Sequence, residues 1–257
     1  MSAGTIGRGT GATTTLLAPA KLTLSLRVTG TAPNGLHLLE SEMVNIDLCD
    51  ELTFAEGDGL EVVDGGVVGG HGEVPEDGTN LVARALRLTG RTAYVRLVKR
   101  VPAGGGLGGG SSDAAAVLRW AGARGEAGLA LASQLGSDVP FCLAGGGRAL
   151  VRGTGELLAP LPFEELAGAP FTLLVPPFGM DTGAVYRAWD AMGGPVSDNY
   201  NDLEAAALAV EPRLGRWRDE LAEATGKRPR LAGSGSTWFV PGEHPGDGRV
   251  VTRVTRP

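Results

Sequence analysis

Residues 102–113, Pro-Ala-Gly-Gly-Gly-Leu-Gly-Gly-Gly-Ser-Ser-Asp, set six glycines and two hydroxyls between a strand pattern at 94–101 and an alanine-rich helix pattern that starts at Ala114. Each missing Cβ opens φ > 0 and lets the backbone come close to a ligand, with its amides free to point at anionic oxygens. Ser111, Ser112 and Asp113 are all good N-cap residues, so the positive end of the following helix is expected to face the same loop. An anion such as a phosphate is the ligand this arrangement suits. A flexible connector is the plainer reading in a chain with 42 glycines, but a connector is not expected directly between a strand and a helix that carries its own cap. Gly104, Gly106 and Gly109 also satisfy G-x-G-x-x-G, with Glu126 at the distance of a ribose-binding acid, although a run this rich in glycine meets that pattern almost automatically. The Walker-type loop is set aside: no Gly-Lys-Ser/Thr follows the glycines, and Gly226-Lys227 precedes Arg228.

The chain has 257 residues, 42% of them hydrophobic, enough to bury a full core in one large or two modest domains. Its formal net charge of −6 argues against non-specific nucleic-acid binding and leaves room for a local basic site for a small phosphorylated ligand. Cys49 and Cys142 make no disulfide framework, which points to a reducing, cytoplasmic setting. No apolar run reaches the length of a membrane span, and residues 1–15 read as a frayed lead-in.

Along 16–28, Leu22, Leu24, Leu26 and Val28 alternate with Lys21, Thr23, Ser25 and Arg27, which predicts a strand. Lys21 and Thr23 then share a face, able to address one ligand, although a solvated strand face is what the pattern alone favours. Residues 39–54 read as a second strand after a turn at Ala32-Pro-Asn-Gly35, and 57–78 as loops and short strands. Asn80 caps an expected helix at 81–88 ended by Gly90, and a further helix covers 126–135 and closes at Gly136. Asp138, shortly ahead of Pro140, reads locally as an ordinary helix cap. After Arg152-Gly-Thr-Gly155 come a strand at 171–175, a helix at 182–192, a helical region at 201–225, and a second glycine loop, Leu231-Ala-Gly-Ser-Gly-Ser-Thr237, just before a strand. Two domains are expected, 1–157 and 158–257.

Three separated motifs, Pro19-Ala-Lys-Leu-Thr-Leu24, residues 102–113 and Leu231–Thr237, resemble in order the three motifs of the GHMP-type small-molecule kinases. Gly136-Ser-Asp-Val-Pro-Phe141, Asn34-Gly-Leu-His37 and Asn201-Asp-Leu-Glu204 are similar to segments of a member acting on a cytidine diphosphate conjugate. Thr23 stands where that member usually has Asn, Leu36 where a Tyr stacks on the base, and Ser236 where Pro or Ala is frequent.

The resemblance implies an α+β fold with an N-terminal domain of the ribosomal S5 domain 2 type, a ferredoxin-like C-terminal domain, and the site between them. It implies ATP with Mg²⁺, a small-molecule acceptor, and no nucleic-acid, membrane or obligate protein partner. ATP would lie on Pro102, Ala103, Gly104, Gly105, Gly106, Leu107, Gly108, Gly109, Gly110, Ser111 and Ser112, and either serine would meet a phosphate oxygen or Mg²⁺ unless it only caps the helix. Lys21 and Asp138 would be catalytic, the aspartate accepting the acceptor hydroxyl's proton and the lysine supplying positive charge. Thr23, His37, Gly233, Ser234 and Gly235 would bind the acceptor. His71 and His244 have no metal-ligand spacing.

Overall fold

The structure, a computed structural model, describes residues 13–66, 74–144 and 146–256. Two long strands open it, β1 (Thr14–Thr31) and β2 (His37–Ala55), antiparallel along their length across a turn in which Gly35 takes φ +84°. β3 (Gly59–Asp64) lies parallel to β4 (Tyr94–Lys99), and α1 (Leu81–Thr89) sits in the connection. After β4 come the glycine loop, α2 (Gly109–Trp120), α3 (Gly125–Leu135) and α4 (Val139–Ala144), then the hairpin of β5 (Arg148–Gly153) and β6 (Leu157–Pro160). β2 is the spine of this sheet: opposite β1, its first half pairs with β5 and its last residues with β4.

A second, wholly antiparallel sheet has the order β10-β7-β9-β8, formed by β7 (Pro170–Leu174), β8 (Arg230–Leu231), β9 (Trp238–Pro241) and β10 (Arg249–Arg253). Its helices are α5 (Thr182–Ala191), α6 (Glu204–Val210) and α7 (Leu214–Thr225). One apolar core lies between the first sheet and α1 to α4, around Phe54, Leu97, Leu118 and Phe141. Another joins Leu174, Leu203, Leu221 and Trp238 beneath α5 to α7. Between them Leu22 and Ile46 of the first sheet pack with Phe171 and Phe239 of the second, with Leu107 of the glycine loop in the same cluster. The two sheets therefore meet through side chains beside that loop. Among the described residues no helix is long and apolar enough to cross a membrane.

Local chemistry accounts for the helix ends. Asn80 Oδ1 accepts the Val82 amide at 2.8 Å, and Gly90 closes α1 at φ +63°. α2 departs from expectation: its cap is Gly108 at φ +67°, with no side-chain cap, so Ser111, Ser112 and Asp113 lie inside the first turns. The glycine is required because the Lys21 side chain crosses that point. Ala114, Ala115 and Ala116 are fully buried, their single methyls allowing α2 to approach β1, α1 and α4 closely. β1 departs too: residues 18–24 are buried on both faces, because the glycine loop and α2 cover the side expected to be solvated. Strand burial on both faces removes the alternation that normally exposes a lysine.

Candidate active site

The glycine loop lines a cleft of about 760 Å³. Four of its carbonyls accept backbone amides. Gly104 O accepts Met180 N at 3.0 Å, Gly105 O accepts Thr237 N at 3.1 Å, Leu107 O accepts Lys21 N at 2.9 Å, and Gly108 O accepts Ser112 N at 2.9 Å. With the oxygens so held, the amides of Gly106, Leu107 and Gly108 have no acceptor among the described residues, and the first-turn amides of α2 lack intrahelical partners. Such a backbone cradle suits an anion. Its glycines are forced by close approach: a Cβ on Gly106 would sit 2.1 Å from Ala232 O and 2.8 Å from Gly235 O. The loop runs from Gly104, packed on Gly179 just ahead of α5, to Gly110, beside Leu81 at the start of α1.

Lys21 and Asp138 come together at the middle of this cleft. Lys21 Nζ stands 3.3 Å from Asp138 Oδ2 and donates to Thr23 Oγ1 at 3.0 Å. The lysine is 4% exposed, whereas the Asp138 side chain keeps 30% of its surface, open to the cleft. Asp138 opens α4, its carbonyl accepting Cys142 N at 3.1 Å, so the cap-like local reading and the placement beside Lys21 hold together. A buried ammonium next to an accessible carboxylate suits proton acceptance with charge stabilisation.

Toward α5 the cleft becomes aromatic. His37 stacks on Tyr186 with ring centroids 4.7 Å apart and meets Trp189 edge-on at 5.7 Å, and its Nε2 pairs with Asp190 Oδ1 at 2.8 Å. Tyr186 and Asp190 are one helical turn apart on α5, which aims both at His37. Burial, then the nearby Asp138 charge, pushes the Tyr186 phenol above its ordinary range. Leu36, half exposed, lines the same end. The second glycine loop closes one side: Ser234 Oγ bonds Thr182 Oγ1 at 2.8 Å, while Asn201 Nδ2 donates to Leu231 O and Gly233 O at 2.8 and 2.7 Å. Asp202 clasps β1 by accepting Arg27 Nη1 at 2.7 Å and Val28 N at 3.0 Å.

Behind the cradle lies a buried charge cluster. Lys99 Nζ donates to Asp113 Oδ2 at 2.8 Å and to Asp50 Oδ2, while Asp50 Oδ1 also accepts the amides of Arg100 and Val101 at 2.5 and 2.8 Å. Asp113 accepts no such amides, and its buried Oδ1 has no hydrogen-bond partner among the described residues. Burial pushes its carboxyl up to about 7, with Asp50's charge adding to the shift and Lys99 opposing it.

The expected residues are therefore distributed unevenly. Pro102 to Ser111, Lys21, Thr23, His37, Asp138, Gly233 and Ser234 line the cleft. Ser112 turns away from it, its hydroxyl donating to Pro19 O at 2.7 Å. Gly235 packs on Met180 and Leu231 instead of the cleft. Glu126 is exposed on α3, and the mostly antiparallel sheet is not a dinucleotide-binding one. Sequence reasoning misses Tyr186, Thr182, Asp190 and Lys99; the helix pattern at 182–192 is a visible signal for the first three, and Lys99, at the end of the strand pattern that feeds the glycine loop, is one of two cations in that strand. His71 lies outside the described residues, and among those described no group of His, Cys, Asp and Glu is arranged to hold a metal ion on its own.

Residues 80–146 match the model of the GHMP kinases N terminal domain. The chain is 39% identical over 240 residues to the 4-diphosphocytidyl-2-C-methyl-D-erythritol kinase of Paracoccus denitrificans, covering 86% of this chain and 84% of that protein. It is 39% identical over 263 residues to the protein of the same name from Pelotomaculum thermopropionicum, covering 88% of each. Among solved structures, that of a 4-(cytidine 5'-diphospho)-2C-methyl-D-erythritol kinase superposes with a TM-score of 0.68 at 33% identity, over 90% of this chain and 91% of the other.

Proposed function

The chain belongs to the 4-diphosphocytidyl-2-C-methyl-D-erythritol kinases of the GHMP kinase family, and on that footing we propose how its cleft runs the reaction. The enzyme transfers the γ-phosphoryl group of ATP to a hydroxyl of 4-diphosphocytidyl-2-C-methyl-D-erythritol, giving the 2-phosphate, a step of the non-mevalonate route to isoprenoid precursors. The observation that carries the mechanism is the Lys21–Asp138 pair, 3.3 Å apart beside the phosphate cradle. Asp138 takes the proton of the acceptor hydroxyl as its oxygen bonds to phosphorus and the bond to the ADP oxygen breaks. Lys21 and the loop amides balance the charge that spreads over the transferring group, and no covalent enzyme intermediate is needed.

ATP lies along residues 102–111, its phosphates on the amides of Gly106 to Ser111 and its base toward Asn80 and Leu81. Mg²⁺ favours few protein ligands alongside phosphate oxygens and water. The donors present fit this: the Ser111 hydroxyl lines the cradle and would hold the ion with the triphosphate, where it supplies neutralising charge. At the other end the pyrimidine stacks on Tyr186. With Nε2 of His37 engaged by Asp190, Nδ1 is left to accept from the amino edge of the base. Residues 1–157 form the ATP-binding unit and 158–257 the unit that brings Tyr186 and the second glycine loop. Cys49 and Cys142 fit a cytoplasmic enzyme: burial and neighbouring carboxylates push their thiols up to about 11 and about 12, where they stay protonated and inert.

The test is ADP release from Mg-ATP with 4-diphosphocytidyl-2-C-methyl-D-erythritol, run beside mevalonate, homoserine, galactose and no acceptor. Turnover confined to the cytidine conjugate is expected. Turnover confined to another alcohol overturns the substrate assignment.

A further inference from the structure

The turn joining β5 to β6 takes no part in the chemistry above, yet it is built tightly against it. Gly155 is buried at φ +123°, and a Cβ there would fall 2.1 Å from Ser137 O and 2.7 Å from its carbonyl carbon. These are backbone atoms, which cannot swing aside as the end of a side chain can. Ser137 is joined directly to Asp138, and both line the cleft together with Thr154 of the same turn.

The turn is held from its other side as well. Thr154 N and Oγ1 each donate to Glu156 Oε2 at 2.7 Å, Gly155 N donates to Arg152 O at 3.3 Å, and Arg152 Nε donates to Glu40 Oε2 at 2.8 Å on β2. The segment it meets is held more lightly: Val139 N donates to Gly136 O at 3.2 Å, and no side chain of the described residues bonds the Ser137 backbone. A stiff hairpin turn is thus pressed on the peptide that immediately precedes Asp138.

We propose that Gly155 is a positioning residue for Asp138, the β5–β6 turn acting as a backstop that sets how deep the 136–138 turn sits and so where the carboxylate meets Lys21 and the acceptor hydroxyl. Any side chain at 155 has to push Ser137 O aside, and Asp138 moves with it. The inference rests on the reading of Asp138 as the proton acceptor.

Gly155→Ala, Glu156→Ala, Asp138→Asn and Gly226→Ala are compared by steady-state ADP release with the cytidine conjugate and by thermal melting. Gly226 is the control: it sits at φ +65° after α7 with nothing near its Cβ position, so alanine there strains the backbone far from the cleft. Gly155→Ala is expected to lower kcat by about 10- to 100-fold, the scale of a misplacement near 1 Å, with KM for ATP unchanged. Glu156→Ala, which truncates an exposed side chain and is expected to keep the wild-type melting temperature, is expected to lower kcat by about threefold to tenfold on the same grounds. Gly226→Ala keeps the wild-type kcat whatever its melting temperature. Wild-type kcat in Gly155→Ala and Glu156→Ala, beside an inactive Asp138→Asn, overturns the positioning role and leaves the proton-acceptor reading intact. A fall in Gly155→Ala that is matched by Gly226→Ala at equal loss of melting temperature also overturns it. If Gly155→Ala does not fold, an unchanged kcat in Glu156→Ala decides against the proposal. Full turnover by Asp138→Asn removes the proton acceptor itself, and the backstop with it.

Discussion

The side chain of Lys21 crosses Gly108 so closely that a Cβ on the glycine would lie 2.8 Å from Lys21 Cγ and 3.0 Å from Cε. The residue that caps α2 and the cation that pairs with Asp138 thus occupy one space, and neither can change without the other. Gly108→Ala combines an unfavourable left-handed residue with a displaced ammonium, and is expected to cost about a hundredfold in kcat. Steady-state kinetics check this, with melting curves showing whether the chain stays folded.

Asp138→Asn keeps the shape of the side chain and removes the proposed proton acceptor. Turnover is expected to fall by about 10²–10⁴-fold while ATP affinity is retained, because the cradle is made of backbone. Calorimetric titration of an ATP analogue alongside single-turnover kinetics separates the two effects. Equal losses in both would mean that Asp138 serves binding instead.

Tyr186 offers a ring face at the acceptor end, whereas Leu36 opposite is aliphatic. Tyr186→Ala is expected to weaken the cytidine conjugate by about 1–3 kcal/mol, seen as a raised KM, and Tyr186→Phe to be nearly neutral. Leu36→Tyr should tighten binding by adding a second ring. An unchanged KM in Tyr186→Ala would place the base elsewhere.

The Lys99–Asp50–Asp113 cluster gives stability a pH dependence whose sign is fixed. Asp113 is held near 7 in the folded chain against about 3.9 unfolded, so the folded state keeps a proton that the unfolded state gives up between those values. Its contribution therefore weakens stability as pH rises through that window and is fully unfavourable above it. Lys99 is raised by its two carboxylates, which outweigh its burial, so its stabilisation is present at neutral pH and is lost only as alkaline pH passes its elevated value. Asp113→Asn should flatten the slope in urea melts between pH 4 and 7. Lys99→Met, which leaves Asp50 and Asp113 facing each other, should cost about 3–5 kcal/mol at pH 8.

Much of this was legible in the residues. Asn80 and Gly90 bracket α1 as their capping chemistry requires, and the glycines at 104–110 by themselves mark a loop whose backbone must come close to its neighbours. Three things were not. Lys21 read as a solvated strand residue because alternation is blind to what covers a face, and here a loop 86 residues downstream covers it, at Leu107. The cap of α2 fell on Gly108 instead of a serine, since the close passage of Lys21 excludes a side chain there. The aromatic end of the cleft depends on Tyr186 meeting His37 from another sheet layer, a contact between positions 149 residues apart that no local pattern encodes.

The glycine loop leans on its neighbours at every step: Met180 and Thr237 hold its carbonyls, and Gly106 fits only because Ala232 and Gly235 shape the space beside it. Such a loop is not a transplantable part. Its sequence moved into another scaffold, or left on a fragment ending at 157, would retain every glycine and lose the mould that turns its amides toward the ligand. Recombining this enzyme with a relative should therefore exchange residues 102–113 and 231–237 as a pair.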